Sequence, residues 1–160
     1  MANRKPNPDG KEALISRLML AMRRSSAAGV LHGQAIAKRV GVNSSDLECL
    51  DLILLNGPST AGDIARRTGL TSGAVTGLID RLERLGLVER MADAQDRRKV
   101  LVRVREDKIG PIGALFSPLE KSIGAILAGY SREELKTLLD FAERAGEFML
   151  ARVAELNDGK

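Results

Sequence analysis

The sequence predicts a mainly helical protein with one small β-hairpin. Composition is the first reason: 44% of residues are apolar but only 2% are aromatic, so the core is built from Leu, Val, Ile, Ala and Met, which leans helical. Spacing is the second, because apolar residues recur at i, i+3, i+4 over most of the chain. The third is that only two short stretches, "LVERM" (87–91) and "KVLVRV" (99–104), alternate β-branched residues as strands do.

The first helix is expected over 11–40, straight or kinked, with Ile15, Leu18, Met19 and Met22 on one face, ending at Gly41 and Asn43. Ser45-x-x-Glu48 has capping-box form and opens a second helix, whose apolar stripe is Leu47, Leu50, Ile53 and Leu54. "NGP" (56–58) ends it. In "STAGDIARRTG", Thr60 is the N-cap, Asp63 lies in the first turn and Gly69 is the left-handed terminator. "LTSGAVTGLIDRLERLG" then opens on Thr71 as N-cap, turns Val75, Leu78, Ile79, Leu82 and Leu85 inward, and closes at Gly86.

After the two strands, Ile112, Phe116, Leu119, Ile123 and Ile126 share a helical face that Pro118 should kink or locally unbond. Ser131-x-x-Glu134 starts a last helix through about Leu156, with Leu135, Leu138, Leu139, Ala142 and Met149 inward.

Helix, Gly-Leu-Thr corner, helix and hairpin, in that order, are what a winged helix-turn-helix requires. Gly69 ends one helix, Leu70 plugs the corner and Thr71 caps the next. The outward face of that next helix carries Ser72, Gly73, Thr76, Gly77, Asp80, Arg81 and Arg84. Its small, hydroxylated N-terminal turns suit entry into a major groove, where hydroxyls meet base edges or phosphates and an arginine reaches guanine or backbone. Gly73 and Gly77 each cost about 1 kcal/mol of helix propensity against Ala, which points to close approach by a partner or to packing against a neighbouring helix.

Charge agrees with a polyanion-binding middle. The net charge is +4, and residues 63–105 hold ten Lys/Arg against six Asp/Glu, which is the whole excess. The hairpin loop "DAQDRRK" gathers Gln95, Arg97, Arg98 and Lys99, suited to the negative potential of a minor groove. Asp93 and Asp96 are expected to pair with neighbouring bases and aim the loop.

The stretch "DIARRTGLTSGAVTGLIDRLERLGLVERMADAQDRRKVLVRV", with Asp93, Asp96 and Arg98 in D-x-x-D-x-R before "VLV", closely resembles the DNA-binding core of MarR-type transcriptional regulators. The flanking helical segments follow that family's order as well. The resemblance implies a 1–10 disordered N-terminus, an 11–43 dimerisation helix, a 44–105 winged core, 106–156 C-terminal dimerisation helices and a 157–160 frayed tail. It implies a homodimer on a palindromic double-stranded operator, a repressor released by a small-molecule effector. DNA contacts fall to Thr71, Ser72, Gly73, Thr76 and Arg81 on the recognition helix and to Gln95, Arg97, Arg98 and Lys99 on the wing. Asp80, paired with Arg98, and Asp96 would support the wing. The Gly-rich "TSGAVTG" departs from the bulkier residues many members carry.

Sensing is less legible. His32 is a candidate contact for an anionic effector, against a structural or solvated histidine. Cys49 reads as a small core filler, since the carboxylate beside it opposes a reactive thiolate. A winged-helix protein adaptor is the rival reading. An enzyme is not supported: no nucleophile–base set, phosphate-binding glycine loop or metal-ligand cluster is present, and no cofactor or metal is expected. No run of about 18 apolar residues and no apolar signal segment occurs, so a cytoplasmic protein without membrane contact is expected.

Overall fold

The computed structural model describes residues 10–158, so most of the N-terminal segment expected to be disordered and the end of the expected frayed tail lie outside the described residues. The order is α1 (Lys11–Val40), α2 (Ser44–Asn56), β1 (Ser59–Thr60), α3 (Ala61–Thr68), α4 (Ser72–Arg84), β2 (Val88–Ala92), β3 (Val100–Val104), α5 (Glu106–Leu127) and α6 (Arg132–Asp158). The chain divides into two compact units after Ser44.

The first unit is α1, a single 30-residue helix closed by Gly41 at φ 82°, whose N–H donates to the Ala37 carbonyl at 3.0 Å. Leu14, Ile15, Leu18, Met19 and Leu20 stand exposed along it.

The second unit holds an aliphatic core. Ile53 of α2, Ile64 of α3, Val75, Leu78, Ile79 and Leu82 of α4, and Val88 and Val102 of the sheet are at most 2% exposed. No aromatic ring contributes to that set. α4 packs on α3 and on β2, placing its buried stripe inward. Leu54 and Leu85, both expected inside, are about half exposed. Each is the last residue of its expected stripe, and Leu54 lines the groove between α2 and α5. α2 begins at Ser44, which puts Ser45 inside the first turn and not at the expected cap.

The sheet is antiparallel with three strands in the order β1-β3-β2. Sequence periodicity identifies only two, because β1 is two residues long. Ser59 pairs with Val102 and Thr60 with Leu101. Thr60 serves two purposes through one conformation, since an N-cap needs extended backbone (here φ −73°, ψ 157°) and so does a strand.

α5 continues through Pro111 and Pro118 as one helix of 22 residues. Pro118 supplies no N–H to the turn before it, while its own carbonyl accepts from the Ser122 hydroxyl at 2.9 Å. α6 opens on the expected Ser131/Glu134 box: the Ser131 N–H and hydroxyl donate to the carboxylate at 2.8 and 2.7 Å, and the Glu134 N–H returns to the hydroxyl at 3.3 Å. Leu138, Leu139, Phe148, Met149, Leu150 and Leu156 are exposed, so Leu138, Leu139 and Met149, expected inward, are not covered among the described residues. Among the described residues no helix is long and apolar enough to cross a membrane.

The Thr60/Asp63 box makes a testable contribution. The Thr60 hydroxyl and then its backbone N–H, both donating to Asp63, hold that carboxyl below its usual 3.8. A carboxyl depressed by folding adds stability that is present above its unfolded value and is lost as pH falls through the folded one. Thr60→Ala is expected to lower stability by about 1 kcal/mol in urea denaturation at pH 7. Asp63→Asn should lower the urea midpoint at pH 7 as well, with the gap to wild type closing as the pH drops below about 4.

Candidate nucleic-acid interface

The corner between α3 and α4 has the geometry its sequence demands. Gly69 sits at φ 68°, a left-handed conformation that would strain a side chain, and its N–H donates to the Ala65 carbonyl at 2.8 Å. Leu70 is half-buried at the bend, and its N–H donates to the Thr68 hydroxyl at 3.3 Å. The Thr71 hydroxyl then accepts from the Ala74 N–H at 3.3 Å, capping α4.

With the buried stripe of α4 fixed, Thr71, Ser72, Gly73 and Thr76 are exposed together at its N-terminal end. A Cβ placed on Gly73 would meet nothing within 4 Å, so no neighbouring helix requires this glycine. The Thr76 hydroxyl donates back to the Ser72 carbonyl at 2.9 Å while its oxygen stays on the exposed face. The result is a bare, uncharged surface at a helix N-terminus, where the backbone can approach a polyanion closely.

The hairpin loop is ordered by its two aspartates, mostly through backbone bonds. Asp93 accepts from the Gln95 N–H at 2.7 Å, and the Asp93 N–H donates to the Lys99 carbonyl at 3.1 Å. The Lys99 N–H donates to the Asp96 carbonyl at 2.8 Å, which closes a tight turn with Arg97 and Arg98 at its tip. Asp96 takes both the backbone N–H and Nε of Arg98, at 3.1 and 3.2 Å. Gln95, Arg97, Arg98 and Lys99 are exposed, with the Arg98 side chain 91% so. The expected Asp93 ion pair with a base is replaced by an Asx-type turn, because its carboxylate lies nearer to amide donors than to any cation of the loop.

Two arginines fall elsewhere than expected. Asp80 pairs with Arg90 of β2, whose Nη2 is 2.5 Å away, and not with Arg98. Arg90 also holds Glu83, so one guanidinium bridges the hairpin to two successive turns of α4. The carboxylates hold the Arg90 charge more firmly, the bond to Asp80 contributing most. Arg98 sits at the far end of the hairpin, where Asp96 is its neighbour two residues away. Sequence reasoning misses Arg90 since nothing in "LVERM" separates it from an ordinary strand-surface charge; the i, i+3 pair Asp80/Glu83 facing the following strand is the one available hint.

Arg81, expected outward toward DNA, turns to α2. Its Nε and Nη2 donate to the two oxygens of Asp46 at 2.8 and 2.7 Å. The Asp46 side chain is 3% exposed and that of Arg81 43%.

Cys49, one turn beyond Asp46 on α2, is buried, and desolvation followed by the Asp46 charge pushes its thiol up to about 11. The thiolate is then scarce at neutral pH. His32 lies in α1, in the first unit. A groove of about 290 Å³ runs between α2 and α5, lined by Leu47, Leu50, Leu54, Ile109, Ile112 and Phe116 with Asp51 and Glu120 among its walls. Among the described residues no cluster of His, Cys, Asp or Glu could hold a metal ion. Iodoacetamide at pH 7.5 is expected to leave Cys49 unmodified in the folded protein and to alkylate it fully in urea, read by intact mass. Rapid alkylation of the native chain would refute a buried, protonated thiol.

Comparison with known proteins gives this geometry a family. A family model described as the MarR family matches residues 27–99. The uncharacterized HTH-type transcriptional regulator YcgE of Bacillus subtilis (strain 168) is 38% identical over 120 residues, covering 75% of this chain and 78% of that protein. The HTH-type transcriptional repressor YetL of the same organism is 30% identical over 90 residues, 54% of each chain. Among solved structures, a MarR family protein from Bacillus stearothermophilus superposes with a TM-score of 0.64 at 23% identity, over 88% of this chain and 98% of that one. The curated relatives are described as transcriptional regulators. The chain belongs to the MarR family of transcriptional regulators.

Proposed function

We propose that the protein is a homodimeric repressor that binds a palindromic double-stranded operator, with α4 in the major groove and the 93–99 loop at the minor groove. One observation carries the reading: a bare, hydroxylated helix N-terminus and an exposed Arg97–Arg98–Lys99 tip belong to one compact unit, with α4 and the hairpin joined through Arg90. Thr71, Ser72, Gly73 and Thr76 supply the groove surface, and Gln95, Arg97, Arg98 and Lys99 supply phosphate and minor-groove contacts. Asp96 aims Arg98, and Asp80 holds the hairpin to the helix through Arg90.

Dimerisation is supported by the exposed apolar residues of α1 and of α5 and α6, which a second copy would cover. Two recognition helices would then meet successive major grooves about 34–36 Å apart. Repression is supported by the likeness to YetL, a repressor by its description. The α2/α5 groove, of a size that suits a small apolar molecule, is the proposed effector site; His32, in the first unit, is proposed separately as a contact for an anionic effector.

A duplex taken from immediately upstream of the coding region, titrated at 50 and 200 mM salt, tests the reading. Tight binding with a steep salt slope is expected, and Arg98→Ala should weaken it and lower the slope by about one counterion. Affinity for that duplex and for random DNA that changes little with salt would favour a protein adaptor instead. Gly73→Ala separates recognition from stability. The added methyl enters open space and should preserve the fold or raise its stability by up to about 1 kcal/mol. The same methyl stands between α4 and the groove floor, so affinity for the duplex should fall. A variant that melted higher and bound equally well would remove Gly73 from the interface.

A further inference from the structure

We infer that Arg81 is a positioning residue: it sets the pose of α4 by gripping the buried Asp46 carboxylate of α2, and it does not itself contact DNA. The inference rests on the proposed role of α4 as the recognition helix. It adds a link from that helix to the wall of the α2/α5 groove.

The contact is two-pronged. Nε and Nη2 of Arg81 donate to separate oxygens of Asp46 at 2.8 and 2.7 Å, a planar fork that fixes orientation as well as distance. Asp46 is 35 residues away in sequence, so the bond joins two helices and not two turns of one. The remaining nitrogen, Nη1, lies 3.6 Å from where a Cβ on Gly77 would be, so the side chain folds back along α4 over a position that carries no side chain. Both helix ends favour the arrangement: Asp46 is in the first turn of α2, and Arg81 is in the last turn of α4.

A DNA phosphate would have to draw this guanidinium away from a carboxylate that is 3% exposed and cannot be solvated in compensation. The wing arginines face no such competition. Arg98 is 91% exposed, with only a partly exposed Asp96 beside it. Arg81 is thus turned inward for placement, and the exposed Arg97, Arg98 and Lys99 of the loop carry charge toward DNA.

The neighbours of Asp46 give the link its consequence. Leu47 and Leu50, on the same helix, line the α2/α5 groove. Any displacement of α2 by an occupant of that groove would be passed to α4 through the fork, which resists both sliding and rotation.

Full-length Arg81→Gln, Arg81→Lys, Asp46→Asn and the Asp46→Asn/Arg81→Gln pair test the inference against the upstream duplex and a random duplex of equal length, each across a salt series. Positioning predicts that all four weaken the upstream duplex about tenfold with the wild-type salt slope. The pair should be no weaker than either single substitution, and random-duplex affinity should stay within about twofold. Arg81→Lys should fail to rescue, because it keeps charge but not the fork. Hydrogen exchange of the α4 amides should quicken in Asp46→Asn without DNA, a readout that needs no operator.

A direct phosphate contact predicts the opposite pattern. Arg81→Gln would lower the slope by about 0.9, Arg81→Lys would restore it, and Asp46→Asn would tighten binding by releasing the guanidinium. That result would overturn the inference while leaving the DNA reading intact. Wild type that bound neither duplex would overturn both. A variant that lost both duplexes equally while melting like wild type would also refute a role in placement.

Discussion

Four aliphatic side chains of α4, Val75, Leu78, Ile79 and Leu82, are at most 1% exposed, and most of the functional geometry follows from their burial. Each removes on the order of 1.5–3 kcal/mol worth of apolar surface from water, so the rotation of the helix about its own axis is not negotiable. Once that stripe faces α3 and the sheet, the periodicity of the helix leaves Ser72, Gly73 and Thr76 outside. The surface proposed for recognition is therefore a by-product of core packing. Its chemistry is free to vary because none of its side chains is needed inside.

Rotation is only one of the ways a helix can err, and the charged residues around α4 address the others. Arg81 ties its last turn to α2 through a buried carboxylate. Arg90 ties Asp80 and Glu83 to the base of the hairpin. These bonds are directional, which aliphatic contacts are not, so they fix translation along the helix axis where the core is permissive. The Gly69 corner fixes the third element, the angle at which α4 leaves α3. Packing, ion pairs and one left-handed glycine thus constrain separate degrees of freedom.

The two ends of the chain are built on a different principle. Among the described residues α1, α5 and α6 carry many exposed apolar side chains, from Leu14 and Ile15 to Phe148 and Met149. An isolated helix gains little from propensity alone, and such faces are costly in water. The homodimer proposed above would cover these faces, since a two-fold axis sets matching surfaces against one another.

Local rules in the sequence determined a great deal. Caps at Thr60, Thr71 and Ser131, the Gly69 terminator and the helical spacing of apolar residues are decided within a few residues, so the helices and the turn between them can be read without tertiary knowledge. The identity of the wing loop is legible for the same reason. Other features answer to partners distant in sequence. β1 exists only because β3 offers it two pairing positions, Leu101 and Val102, some forty residues on. Arg81 looks outward by periodicity, yet a half-exposed arginine is long enough to turn back to a carboxylate on another helix, and Asp46 gives no local sign of being buried. Asp80 meets Arg90 and not Arg98, because hairpin register places the strand arginine, not the loop arginine, beside α4. Short-range hydrogen bonding and hydrophobic period are written in the order of residues. The choice among several cations for one carboxylate is made by distance, which only the folded chain supplies.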